Sequence, residues 1–392
     1  LSAEGGRAVG ERMEVVATLK VYRWDGGSDD RADGPADTLG YYGYVSDDSF
    51  QRTTGDMRLN LTPWSGSVFS AGVEVEEEKQ DSRSESLGQW GPSIDEDSYR
   101  RQNLGYYAHL VSETGGWSGN IGLRFDDNEQ YGNFVTYQAG LSYSIPAFGT
   151  RFRGTLGRGL KEPTFLETYS SGFSVGNPDL KPERSQVWDL GVEQSFGGSD
   201  ATASVTWFHQ SLRDLIQYTY MPSDPTDPNY FNVAEAMAQG LEVSLAGPVG
   251  DLKLSGAYTY LDSKVLDSGF DEGEGAVFVE GETLIRRPTH MASLSAIYPL
   301  SRAVLSGDFR WKGTRTDRDF SAWPASPVEL SSYALLGMGL EVAAFESKGG
   351  RPGVDLQFRA ENLLDQDYEE MFGFVAPGRT ILVGARMNFG GG

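Results

Sequence analysis

Apolar and polar residues alternate with a period of two along nearly the whole chain, and no stretch carries a comparable helical stripe. Val354, Leu356, Phe358 and Ala360 alternate with Asp355, Gln357, Arg359 and Glu361. In the last such run Ile381, Val383, Ala385, Met387 and Phe389 are interleaved with Gly384, Arg386 and Asn388. The same pattern holds through Phe69 to Glu76, Trp188 to Glu193, Ala201 to Trp207 and Leu252 to Tyr260. Successive side chains of a strand point to opposite faces, so each run has one apolar and one polar face. A chain patterned this way throughout is all-β.

The connections between these runs are of two kinds. Short turns centre near Trp64, Gly115, Ala147, Gly198, Pro248, Pro299 and Gly350. Long connections lie between them: Asp25 to Phe50, Lys79 to Ser98, Lys161 to Arg184, Met221 to Asn229, Asp262 to Leu284, Gly313 to Glu329 and Leu364 to Gly378. The spacing of successive short turns, mostly about 50 residues, suits one long hairpin per interval, about eight hairpins or 16 strands in all. Short turns at one end and long loops at the other are the mark of an antiparallel transmembrane β-barrel, not of a soluble sandwich. Many runs reach the roughly 10 residues that a tilted strand needs to cross the hydrocarbon. Trp117, Tyr143, Phe196, Tyr298 and Trp311 fall near strand ends, where interfacial aromatic girdles sit. The expected architecture is one β-barrel over residues 1–392 with no internal domain boundary.

Several function classes are excluded. The chain has no cysteine, which removes disulfide scaffolds, cysteine-based zinc sites and cysteine nucleophiles. Its three histidines, His109, His209 and His290, are far apart in sequence. A net charge of −23 is wrong for a nucleic-acid partner, whose phosphates demand a basic surface. No P-loop, GxSxG elbow or HExxH motif is present. His209 and Ser211 are the nearest approach to a catalytic pair, and they sit in a strand pattern, so no enzymatic activity is expected. No segment has the 18 apolar residues of a membrane helix; Tyr333 to Phe345 is too short and carries Glu341. The start, LSAEGGRAVGERMEV, lacks the apolar core of a signal peptide.

Three separated motifs stand out. The first is GRGLKEPTFLETY followed by GNPDLKPE, at Gly157 to Tyr169 and Gly176 to Glu183, running into the strand at Trp188 to Glu193. The second is LIRRPTH, Leu284 to His290. The third is the ending that carries Asn362, Leu363, Asp365, Tyr368, Pro377, Gly378 and Arg379. Together they resemble the motifs of TonB-dependent outer-membrane receptors, the ending matching that family's NLFDxxY and PGR elements. RRPTH and the PGR ending are most similar to the cobalamin-type and siderophore-type receptors. The motif residues themselves are expected mainly to shape turns and loops, since Asn177, Pro178 and Pro182 restrict the backbone.

The resemblance implies an importer of a scarce nutrient, such as a ferric siderophore or cobalamin, in the bacterial outer membrane. Its partners would be outer-membrane lipid, the small-molecule metal chelate or cobalamin, and the TonB complex, reached through a plug domain. Family barrels have 22 strands, so this chain is expected to be a C-terminal barrel portion, with about six strands and the plug upstream of Leu1. On that expectation Leu1 to Glu11 is a periplasmic turn. The alternative is a passive 16-stranded porin. Loop aromatics Tyr169, Phe173, Trp323 and Phe372 are candidate substrate contacts. No cofactor is expected beyond a structural calcium ion, for which Asp25, Asp29, Asp30 and Asp33 offer several hard oxygens on one loop. Asp267, Asp271, Glu272 and Glu274 form a second acidic cluster of that kind.

Overall fold

The computed structural model of the chain describes residues 1–31, 34, 43–88, 91–171, 174–198, 200–219, 227–269, 275–321, 324–347 and 352–389. Seventeen strands among these residues belong to one sheet, and the remaining four form two small hairpins. The chain divides into two compact units, described in turn.

The first unit is a meander of antiparallel neighbours. It runs β1 (Ser2–Ala8), β2 (Met13–Asp29), β3 (Tyr44–Leu61), β4 (Ser67–Gly88), β5 (Gly91–Thr114) and β6 (Trp117–Asn128). β7 (Gly132–Ile145) and β8 (Thr150–Lys161) follow, then a single helical turn, α1 (Phe165–Tyr169).

Two expectations are corrected here. Ser2–Ala8 is a strand rather than part of a turn, because its backbone completes a ladder with Glu14 to Lys20; pairing, not side-chain packing, makes this glycine-rich segment extended. The sheet therefore has 17 strands where about 16 were expected. The connection expected at Lys79 to Ser98 is strand in its described residues, and the one expected at Asp25 to Phe50 is strand at 25–29 and 44–50. β4 and β5 pair continuously from Ser67 with Ser112 to Gly88 with Gly91.

The register shows why both faces are stable in different solvents. Met57, Val73, Tyr106 and Phe125 stand directly opposite one another across β3 to β6, and all four are exposed. One residue along, the row reads Asp56, Glu74, Gly105 and Asp126. A row of exposed apolar side chains backed by a row of carboxylates fits lipid on one face and a polar interior on the other.

The second unit repeats this logic. β9 (Glu183–Phe196) pairs with β10 (Ala201–Tyr218). β11 (Tyr230–Val249), β12 (Leu252–Asp267), β13 (His290–Pro299) and β14 (Ala303–Lys312) are joined in sequence. After the small hairpin β15 (Arg315–Asp319) with β16 (Ser326–Leu330), β14 pairs with β17 (Tyr333–Phe345), and β17 with β18 (Gly353–Glu361). A second small hairpin, β19 (Glu369–Met371) with β20 (Phe374–Val375), precedes β21 (Thr380–Asn388), which pairs with β18. Leu305, Leu340, Phe358 and Val383 form the exposed apolar row. Both small hairpins lie at the long-connection ends of their strands, opposite the short turns.

Candidate functional site

In the first unit the polar face condenses around Arg101. Arg52, Glu78 and Arg101 are register partners across β3, β4 and β5, so opposite charges stand side by side. Glu78 is 3% exposed and Arg101 7%. Glu78 accepts from Arg52 Nε at 2.8 Å and from Arg101 Nε at 3.0 Å. Arg101 also donates from Nη1 to the carbonyl of Pro163 at 2.8 Å and lies 3.2 Å from Glu162. Buried charges are tolerable only when paired and hydrogen-bonded in this way. Burial pushes the Glu162 carboxyl, in the connection after β8, above the usual carboxylate value, against the pull of Arg101. Four positions along the strands, Arg124 bridges Glu74 at 2.9 Å and Asp126 at 2.8 Å. Gly105 leaves the room, since a Cβ there would stand 2.2 Å from Arg124 Nη2. These groups line an open cavity of about 630 Å³.

Arg101 is also the seat of the EPTFLETY segment. Thr164 caps α1 by accepting from the Glu167 amide at 3.2 Å, and Glu167 accepts from the Thr164 amide at 2.7 Å. The Arg101 guanidinium lies over the Phe165 ring at 4.9 Å. Tyr99 stacks on Tyr169 at 4.5 Å and donates to its carbonyl at 3.2 Å. The next motif folds back on this turn. Asn177 donates to the Tyr230 carbonyl at 2.8 Å, and its side-chain oxygen accepts from the Asp179 amide at 3.0 Å. A Cβ at Gly176 would lie 2.5 Å from the Tyr169 amide nitrogen, so only glycine permits the approach.

In the second unit the centre is Asp317 on β15, whose side chain has no exposure. Its Oδ1 accepts from Arg286 Nε at 2.8 Å and from the Arg318 amide at 2.8 Å. Its Oδ2 accepts from the Phe372 amide at 2.9 Å. One carboxylate thus joins the RRPTH segment, the β15–β16 hairpin and the turn of the β19–β20 hairpin. Nearby, Glu370 accepts from Lys312 at 2.8 Å and from the Tyr333 hydroxyl. Burial pushes the Glu370 carboxyl up, but Lys312, Tyr333 and Arg315 outweigh it and hold it below the usual value. A cavity of about 710 Å³ opens beside these hairpins, with Tyr333, Tyr368 and Phe372 in its wall.

The family profile described as TonB dependent receptor-like, beta-barrel matches residues 11–363. The chain belongs to the TonB-dependent receptor β-barrel family. Among solved structures, it resembles the copper transporter OprC at 16% identity and a TM-score of 0.77, covering 98% of this chain and 64% of OprC. It resembles the ferric-catecholate import receptor Fiu of E. coli at 15% identity and a TM-score of 0.70, covering 98% and 63%. The ferripyoverdine receptor of the outer membrane of Pseudomonas aeruginosa matches at 14% identity and a TM-score of 0.69, covering 95% and 53%. The chain therefore spans less than two thirds of each of these structures.

The candidate residues of this TonB-dependent receptor barrel fall in different places. Phe372 lines the second-unit cavity. Tyr169 is half-buried against Tyr99. Phe173 and Trp323 lie outside the described residues. Asp25 and Asp29 are on β2 rather than on a loop, ion-paired with Arg23 and Arg31; Asp30 follows directly, and Asp33 is outside the described residues. Of the second acidic cluster only Asp267 is described, and it accepts from the Gly269 amide. Among the described residues no three acidic or histidine side chains are grouped as metal ligands. His209 stacks on Trp188 at 5.6 Å, as a cross-strand partner. Arg379 pairs with Asp365 at 3.2 Å. Arg101, Glu78 and Asp317 were not singled out in the sequence. Each needs strand register or a loop contact to acquire its meaning.

Proposed function

We propose that this chain is the barrel part of an energised outer-membrane importer for a scarce small-molecule nutrient, a metal chelate or cobalamin. The family match over residues 11–363 carries this reading, and the exposed apolar rows support a wall facing lipid. On this reading a plug domain fills the polar interior and couples it to the TonB complex. The charged face around Arg52, Glu78, Arg101 and Arg124 is then the wall on which a plug rests, and the small hairpins near Phe372 face the outside. A passive porin is the weaker reading, because the matching family is one of receptors.

The test uses the full-length gene in a strain deleted for it. Uptake of a radiolabelled ferric chelate or cobalamin should depend on the gene and stop with a protonophore. Uptake that persists without proton-motive force supports the channel instead.

A further inference from the structure

We infer that the cavity beside the β19–β20 hairpin receives an uncharged or cationic ligand with a flat face, stacked against Tyr368 and Phe372, and that Asp317 positions its wall. This rests on the proposed importer function and names the ligand class for it. The cavity, not its charge, is the starting point. Its volume of about 710 Å³ suits a small organic ligand. Three rings stand in or behind its wall. Tyr333 and Tyr368 are 4.5 Å apart, and Tyr333 is 6% exposed, so it backs the wall while Tyr368 and Phe372 face outward. Such rings offer stacking area at little cost in side-chain freedom.

The charges around the rings decide the class. Among the described residues, the side chains lining the cavity include Glu329, Asp367 and Glu369 and no lysine or arginine. Two cations of the neighbouring strands, Lys312 and Arg315, are held by other groups, and the Arg315 Nε that has no partner is fully buried. Lys312 donates to Glu370 at 2.8 Å, and Arg315 is buried and donates to the carbonyls of Ser331 and Glu369. An incoming polyanion would meet carboxylates in a lining that, among the described residues, holds no cation, which is repulsive. A neutral or cationic ligand meets no such penalty.

Asp317 enters as a positioning residue. It does not line the cavity, but it holds the Phe372 amide at 2.9 Å, and Arg286 fixes Asp317 from the other side at 2.8 Å. The Phe372 ring is therefore aimed by a carboxylate on a different hairpin. This reduces the ordering that ligand capture would otherwise require.

Two iron complexes of like geometry isolate charge from shape: neutral iron(III) tris(hydroxypyridinone) and trianionic iron(III) tris(catecholate). Binding of each to the purified full-length receptor in detergent is followed by quenching of intrinsic fluorescence. The neutral complex should bind about tenfold or more tightly than the trianion at low salt. Phe372→Ala should weaken the neutral complex about tenfold, and Glu329→Gln with Asp367→Asn should narrow the gap between the two. Asp317→Asn should raise the half-saturating concentration for uptake while leaving the maximal rate unchanged. Equal or tighter binding of the trianion, binding of neither complex, or indifference to Phe372→Ala overturns the inference. If Asp317→Asn fails to fold, the Phe372→Ala result still decides. Binding in detergent needs no energy source. Binding without protonophore-sensitive uptake therefore defeats the importer reading alone, whereas uptake indifferent to Phe372→Ala defeats the cavity alone.

Discussion

Arg101 on β5 donates to the main-chain carbonyl of Pro163, 62 residues further along the chain, at 2.8 Å. The same guanidinium neutralises Glu78 on β4. A buried wall charge is thus compensated from two sides, and in the process the EPTFLETY segment is docked. The motif has a structural cause: it supplies the carbonyl, the ring and the capped turn that Arg101 requires.

Replacing Arg101 with Met should leave Glu78 buried beside a single, half-exposed arginine. Breaking one side of a buried pair costs on the order of 3–5 kcal/mol, less here to the extent that Arg52 compensates. The denaturant midpoint for folding into lipid vesicles should fall, and protease should gain access to residues 162–180. Adding Glu78→Gln should recover most of the loss. If the double variant is no better than the single one, the pairing is not what holds the segment.

The apolar row can be tested by placing a charge in it. Val73→Arg should cost about 2–4 kcal/mol if that face meets hydrocarbon near its midplane. Glu74→Gln, one residue along on the opposite face, should cost far less. Folded yield on unheated gels, titrated with urea, separates the two. Equal sensitivity at both positions would exclude a lipid face.

Gly176→Ala should disturb its segment, because the added Cβ meets backbone 2.5 Å away rather than a yielding side chain. Gly55→Ala, where nothing lies within 4 Å, is the control and should be close to neutral. Amide exchange across 164–180 should rise in the first variant and stay unchanged in the second.

The β19–β20 hairpin should loosen in acid. Glu370 has its folded pKa held below the ordinary glutamate value, so its contribution is present above that value and is lost as pH falls through the folded one. The groups facing it are Lys312 from β14, Arg315 from β15 and Tyr333 from β17, and all three favour the ionised carboxylate or hydrogen-bond to it. Exchange of the hairpin amides, corrected for intrinsic rates, should increase below about pH 4.5. Glu370→Gln should remove that dependence, and a variant that keeps it would assign the acid sensitivity elsewhere.

Much of the strand pattern was legible. The short turns at Trp64, Gly115, Ala147 and Gly198 fall between strands, and those read at Pro248 and Pro299 lie just further on, between Val249 and Leu252 and between Pro299 and Ala303. The turn read at Gly350 lies outside the described residues. What misled was polarity. Asp47, Asp48 and the run Asp81 to Asp97 have no apolar alternation, so they look like loop. In the structure they are held by their neighbours' ladders and by contacts such as Ser82 to Asp48 and Ser98 to Asp81. The site was less legible for a related reason. Arg101 and Glu78 become partners only once β4 and β5 are in register, and Asp317 meets Arg286 and Phe372 only through loop folding. Phe372 was noted as one of four aromatics in long connections, and the structure places it in a cavity wall.

The height of the β4–β5 hairpin has its own consequence. Strands of 22 and 24 residues, at about 3.3 Å each, extend some 70 Å, against a hydrocarbon core of about 30 Å. Tilted by about 35–45°, on the proposed outer-membrane reading about half of the hairpin stands beyond the hydrocarbon, carrying Asp81, Glu96 and Asp97 beside Asp47 and Asp48 of β3. In physiological saline that charge reaches only about 8 Å, and in dilute fresh water several times further. The reach of that acidic wall is therefore set by the salt around it as much as by its own residues.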